Sequence, residues 1–577
     1  MSGPRYTIGV DFGTESARAM LVDVADGREL GVEVYSYSNG VIDERLPDPD
    51  SDVILGPDWA LQDPNDYIET FKRTIPGVLA KTGVDPDGVI GIGIDFTACT
   101  MLPTKADGTP LCTLDQYRRR PHAWVKLWKH HAAQPEADDI NRVAAERGET
   151  WPARYGGKIS SEWFFPKSLQ ILREDPEVYR AADRLIEAAD WVIWQLTDVE
   201  TRNNCTAGYK AIWSAEDGFP TNQFFAALDP AFAGVVDEKM SRSIARLGDV
   251  AGSLSERAAG WTGLRAGIAV AVANVDAHVS APAATVTECG TLVAIMGTST
   301  CHIVLSEGAP VIPGACGVVR DGVIPGLFGY EAGQSAVGDI FGWFVERCVP
   351  PVYHQRASDR GVSVHEILEE DAAALRPGQS GLLALDWWNG NRSVLVDADL
   401  SGLLIGMTLA TTAPEIYRAL IEATAFGTRV IIDAFEKGGV RIDRVVACGG
   451  LPERNRLLMQ IYADVTGRTF RIAASAQTPA LGSAMFAAVA AGPESGGYAS
   501  IEEASRQMAH LRNEAYVPIE AHREAYDVLY GEYVRLHDLF GRGGDPAVKT
   551  LKRLRLQGVA EAAATSARLP SDQVGLT

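Results

Sequence analysis

The stretch Tyr6 to Asp23, YTIGVDFGTESARAMLVD, limits the fold of this chain more than any other. Ile8, Val10 and Phe12 alternate as in a strand, Ser16 to Val22 reads as its partner, and Gly13-Thr14-Glu15 forms the reversal between them. The pattern predicts a β-hairpin. Glycine at the bend leaves backbone N–H groups open to an approaching anion, because no Cβ covers them. Asp11 stands just before the bend, where a carboxylate can hold a hydrated Mg²⁺ against that anion. A single hairpin of this kind is more readily read as a surface turn with a solvated Asp. The plan recurs, however, in residues 290 to 305, GTLVAIMGTSTCHIVL, as an apolar strand, the turn Gly297-Thr298-Ser299 and a second strand. Two such tips predict a duplicated α/β fold whose halves grip a polyphosphate from both sides.

A length of 577 residues exceeds what one hydrophobic core serves, so two domains are expected, with a boundary near 265 in a Gly-, Ser- and Arg-rich connection. This divides the chain into 1–265, 266–545 and a tail, 546–577. A formal charge of −22 argues against nucleic-acid partners and anionic membrane surfaces. No apolar run approaches a bilayer span, and Asp11 and Arg18 break any signal-peptide core, so the chain is expected in the cytoplasm. The 8 cysteines include no C-x-x-C pair and read as reduced thiols. Walker, Rossmann and zincin motifs are missing from the sequence, which leaves phosphate binding to the hairpins.

Along the chain, Gly31 to Tyr37 reads as a strand, the region from Asp66 to about Leu79 as a helix, and Val89 to Phe96 as a buried strand with a capping Asp95. Residues 165 to 196 predict two helices broken at Asp175-Pro176. Thr206 to Lys210 looks turn-like, where a lysine is ordinarily solvated. Ile268 to Ala273 is expected to open the second half as a strand, followed by Asp276, a helix N-cap or a group meeting substrate in the cleft. Thr412-Ala413-Pro414-Glu415 is a capping box, and its helix is stopped by Lys437-Gly438-Gly439. A strand over 444 to 448 then meets Gly449-Gly450, a turn able to admit a flat base or a phosphate. The basic run VKTLKRLRL beyond 545 reads as an exposed helix face, and the end from 558 as loosely ordered.

Ordered segments resemble the FGGY carbohydrate kinases over nearly the whole chain: GVDFGTESARA at 9 to 19, GIGIDFTACTMLP at 91 to 103, RPHAWVKLWKHHAAQ at 120 to 134, ANVDAH at 273 to 278, MGTSTCH at 296 to 302, GYEAGQSA at 329 to 336 and ACGGLPERN at 447 to 455. One departure is Lys167-Ser168-Leu169-Gln170, where the family usually has Lys and Trp three apart. The resemblance implies an actin-like, ribonuclease-H-like fold, two duplicated α/β domains with ATP and Mg²⁺ in the cleft and the sugar deeper. It implies Asp276 as the base taking the proton of the acceptor hydroxyl, with His278 as rival, and Asp11 near the metal. Gly13, Thr14, Gly297 and Thr298 fall on phosphate hairpins, and Gly449, Gly450 and Asn455 on the nucleotide turn. Ala98, Trp124, Lys210 and Glu331 match the pocket for a ketopentose. A homodimer is a reasonable expectation from the family. An actin-like ATPase switch with no sugar acceptor is the contrasting class, and the sugar-pocket segments argue against it.

Overall fold

The computed structural model describes residues 3–48 and 52–566, with side chains described to 558. Two mixed sheets repeat one plan. In the first, the hairpin strands Tyr6–Phe12 and Ser16–Asp23 pair antiparallel, Glu29–Ser36 extends the outer edge, and Val89–Phe96 joins Tyr6–Phe12 in parallel. In the second, Gly290–Met296 and Thr300–Ser306 form the hairpin, Phe328–Gln334 extends it, and Ile442–Cys448 pairs in parallel with Gly290–Met296. Each sheet thus runs third strand, second, first, fourth, which is the duplication the two glycine turns predict.

Several local expectations change. The strand expected at 268–273 is Ala269–Ala271, and it pairs with Val89–Phe96 of the first sheet, as does Asn274–Val275. The chain therefore leaves the first sheet after Val275, beyond the expected boundary near 265. Residues 165 to 196 hold the helices Phe164–Glu174, Pro176–Ala181 and Ala188–Thr197, with the strand Arg184–Glu187 between them. A short apolar run such as Leu185-Ile186 fits either period, and pairing with Met101–Thr104 decides it. Thr206 to Lys210 is not a turn but the end of the helix Asn204–Lys210, whose start is capped by the Asn203 side chain accepting from the Thr206 N–H. The capping box at Thr412 is present, and its helix runs Ala413–Lys437. The basic C-terminal run lies on the helix Ala547–Ser566, with Leu551, Leu554 and Leu556 exposed. The loose end expected from 558 falls largely outside the described residues.

The first sheet buries one face under Pro64–Thr82 and Ala188–Thr197, through Phe12, Phe71, Tyr67 and Trp191. Its other face meets Thr478–Ala491, a helix from the far end of the chain. Backbone lies directly on backbone here: a Cβ added at Gly9 would sit 1.8 Å from the Ala480 carbonyl oxygen, and one at Gly93 1.9 Å from that of Ser483. The helix Asp276–Ala283 packs beside it, and its Val279 carbonyl approaches Gly482 just as closely. The two helices lie in a core shared by Met20 and Val22 of the first sheet with Val293 and Ile303 of the second. Among the described residues no helix is long and apolar enough to cross a membrane.

Gly93→Ala should force this helix off the sheet and destabilise the chain by about 1–3 kcal/mol or more, as overpacking does. Chemical denaturation followed by tryptophan fluorescence measures it. The control Gly148→Ala is at a helix C-cap with open space around it, so its cost should be confined to the positive φ of 68°.

Candidate active site

Register builds the centre of the site. Parallel pairing sets Asp11 beside Asp95 and Asp95 beside Asn274, so Asp276 follows two residues later at the start of its helix. Asp95 is fully buried and caps nothing. Its Oδ2 accepts from the Ser483 hydroxyl at 2.6 Å, while Oδ1 has no donor. Asp95 also lies against Asp11, and two carboxyls so placed can bond only by sharing a proton. Burial, reinforced by Asp11, lifts Asp95 well above the usual carboxylate range. Burial raises Asp11 too, opposed by the Arg18 guanidinium 3.4 Å away. Asp276 accepts from the Ala277 N–H at 2.7 Å, and burial first, then Asp11, push it up to about 7. The shift makes Asp276 a better base near neutrality than an aspartate at its ordinary value.

The rival base fares worse. His278 is buried with its ring 4.0 Å from that of Tyr209, and neither nitrogen has a hydrogen-bond partner. Burial lowers it to about 4.

Both hairpin tips are held by their carbonyls. The Tyr37 hydroxyl donates to Gly13 O and the Gln62 amide to Thr14 O; in the other tip, Gly338 N donates to Gly297 O, and Val337 N and Asp339 N to Thr298 O. In a trans peptide the N–H points opposite to the carbonyl before it. The amides aimed away from these anchors are therefore those of Thr14, Glu15, Thr298 and Ser299. Gly13 N and Gly297 N are not among them, since they close the turns onto Ser16 O and Ser299 O.

At Gly449, φ is 95° and a Cβ would stand 2.5 Å from the Met296 carbonyl oxygen, so close strand packing alone requires glycine. Gly450 is exposed with open space around it. Asn455 caps the helix Arg456–Thr466 by accepting from the Leu458 N–H at 2.7 Å.

Lys210 is buried, not solvated. Its Nζ lies 3.2 and 3.1 Å from the two Glu331 oxygens, a pair formed between the two halves of the chain. Arg392 donates to Glu331 Oε1 at 2.7 Å from a third segment, which no pattern in the sequence connects to the other two. Burial favours a neutral Glu331, but Lys210, Arg392 and His278 together outweigh it and hold its carboxyl at about 2.

Of the expected pocket residues, Trp124 does not reach this centre. Its ring belongs to the core of the lobe carrying the helix Phe164–Glu174, and its Nε1 donates to Arg118 O at 2.8 Å. Trp128, four residues on, is 37% exposed and donates from Nε1 to the Thr14 hydroxyl at 3.0 Å. The tryptophan at the phosphate hairpin is therefore Trp128. Ala98, half-buried, follows Asp95 and Phe96 at the end of their strand.

A duplicated mixed sheet, each copy opened by a glycine hairpin, with Asp11, Asp95 and Asp276 brought together by strand register, places the chain in the actin-like class of α/β folds. The FGGY family of carbohydrate kinases, N-terminal domain, matches residues 6–282, and the C-terminal domain of the same family matches residues 292–491. The chain belongs to the FGGY family of carbohydrate kinases. It is similar to the ribulokinase of Anoxybacillus flavithermus, 58% identical over 95% of this chain and 97% of that one, and to the ribulokinase of Mycolicibacterium smegmatis, 53% identical over 96% and 97%. In fold it is similar to a xylulose kinase from Rhodospirillum rubrum, with a TM-score of 0.73, 23% identity and coverage of 92% and 98%.

Two outcomes follow from this geometry. Trp124→Ala should lower stability by about 3–5 kcal/mol, whereas Trp128→Phe should leave the melting temperature nearly unchanged and weaken sugar-dependent turnover. Glu331→Gln strands Lys210 and Arg392 and should cost about 3–5 kcal/mol at neutral pH. A carboxylate depressed from 4.5 to about 2 stabilises fully above 4.5 and loses that contribution as pH falls toward 2. The difference between native and variant chains in denaturant midpoint should therefore shrink across that window.

Proposed function

We propose that this chain is an ATP-dependent ribulokinase, transferring the γ-phosphoryl group of ATP to the terminal hydroxyl of L-ribulose to give L-ribulose 5-phosphate and ADP in the cytoplasm. The observation that carries the acceptor is identity above one half, over nearly the full length, to relatives that are ribulokinases. The geometry supports the chemistry. Asp276 takes the proton of the acceptor hydroxyl as its oxygen attacks; with Asp276 lifted to about 7, proton and base are well matched near neutral pH. The amides of Thr14, Glu15, Thr298 and Ser299 receive charge spreading over the transferred group, the main demand of a loose phosphoryl-transfer transition state. Lys210, Glu331 and Arg392 form a fixed set of donors and acceptors for sugar hydroxyls, and Trp128 and Ala98 would complete the pocket.

Among the described residues no three His, Cys, Asp or Glu side chains form a group that could hold a metal ion. Mg²⁺ is usually held by one or two carboxylates together with substrate phosphates, and the mutual repulsion of Asp11, Asp95 and Asp276 suits such a cation. Asp11 would hold it, with Asp95 behind. Bound Mg²⁺ would neutralise phosphate charge.

The test is ADP release from Mg-ATP across pentuloses, pentitols, aldopentoses and glycerol. L-Ribulose should stimulate it most, Asp276→Asn should lose about 10²–10⁴-fold, and kcat/KM should rise with pH through a limb near 7 that the variant lacks. Best turnover with D-ribulose or xylulose would move the acceptor; turnover independent of any sugar would overturn the reading.

A further inference from the structure

Lys167 is fully buried on the helix Phe164–Glu174, and among the described residues no hydrogen bond joins its ammonium to a carboxylate. Its Nζ donates instead to two backbone carbonyls, Cys99 O at 2.6 Å and Leu127 O at 2.7 Å. Each carbonyl adjoins a residue of the acceptor pocket: Ala98 precedes Cys99, and Trp128 follows Leu127. The strands Met101–Thr104 and Val125–Lys126 pair only at Met101 and Lys126, so their ladder ends where these two segments leave it for the pocket. Cys99 has a φ of 63°, a left-handed conformation that a non-glycine residue keeps only when its surroundings hold it there.

We propose that Lys167 is a positioning residue whose ammonium ties the Ala98 wall of the acceptor pocket to the Trp128 wall and so sets the width available to the sugar. The proposal rests on the sugar-kinase reading above. An apolar side chain of the same length would fill the space at less desolvation cost; only a multiple donor joins two carbonyls from separate segments. Burial lowers Lys167 to about 8, which leaves the tie charged at neutral pH and weakens it above that value. Glu187, itself buried and pushed up to about 8, supplies the nearby acidic group without bonding to it, so the carbonyls keep the donors. Neither Ala98 nor Trp128 contacts Lys167 through a side-chain hydrogen bond, which is why the residue acts through the main chain.

The experiment compares Lys167→Met with the native chain in the ADP-release assay, titrating sugar and ATP separately. The Michaelis constant for the sugar should rise about 10–100-fold, as displacements near 1 Å in a binding site do, while that for ATP stays within about 2-fold. A general loss of folding would lower the apparent kcat and leave both Michaelis constants where they were. Combining Lys167→Met with Trp128→Phe should give less than the product of the single effects, because both act on one wall. Equal sugar constants in native and variant chains, or fully multiplicative effects, would overturn the proposal. Should Lys167→Met not fold, Lys167→Gln, whose amide ends one bond nearer the main chain and so cannot span both carbonyls, takes its place, and a native sugar constant in that variant would overturn the proposal equally. If the native chain itself shows no sugar-dependent turnover, the kinase reading fails and the positioning role falls with it; native sugar dependence without the split sinks the positioning role alone.

Discussion

Carboxylates held side by side by parallel strand pairing govern the centre of this molecule. Asp11 and Asp95 cannot separate without breaking the register of Tyr6–Phe12 with Val89–Phe96, and Asn274 locks Asp276 to the same frame. Their repulsion is built in. The protein answers it locally with the Arg18 guanidinium, the Ser483 hydroxyl and the Ala277 amide, which is fewer favourable contacts than three ionised carboxyls need. With burial, the larger cause at each of the three, this repulsion raises the proton affinity of Asp95 and Asp276, while Asp11 is raised by burial against the pull of Arg18.

The second charged assembly has the opposite character. Glu331 meets Lys210 from the first half of the chain and Arg392 from a distant loop, and two cations to one anion leave it firmly ionised. Such a buried group contributes little net stability against an apolar replacement, but breaking it is costly, so its worth lies in fixing geometry. On the proposed reading it would fix donors and acceptors for a neutral polyol, which brings no charge of its own to be held.

The hairpins were legible because everything they need is local: period-two alternation, glycine at the bend and an Asp before it. The repetition at 290–305 then carried the architecture. What escaped was decided by burial across long separations. Trp124 and Trp128 lie in one aromatic run, and only packing tells that the first enters a core while the second opens onto Thr14. Lys210 reads as solvated until its partner, 121 residues away, is seen. Of the turn residues singled out from sequence, Gly13 and Gly297 close the bends with their own amides, while those of Thr14 and Thr298 are turned away from the carbonyl anchors, a difference that only the folded hydrogen bonds show. Asp95 looked like the end of a core strand, which it is; its neighbour Asp11 makes it more than that.

The helix Thr478–Ala491 lies against Gly9 and Gly93, at the other extreme of the chain. During synthesis at about 5–20 residues per second, the N-terminal strands emerge on the order of half a minute or more before the helix that covers them. Through that interval the face of the first sheet that carries Gly9 and Gly93 lacks the helix that covers it in the folded chain, so the first half cannot be finished as a domain on its own. Completion of the last hundred residues closes both halves at once.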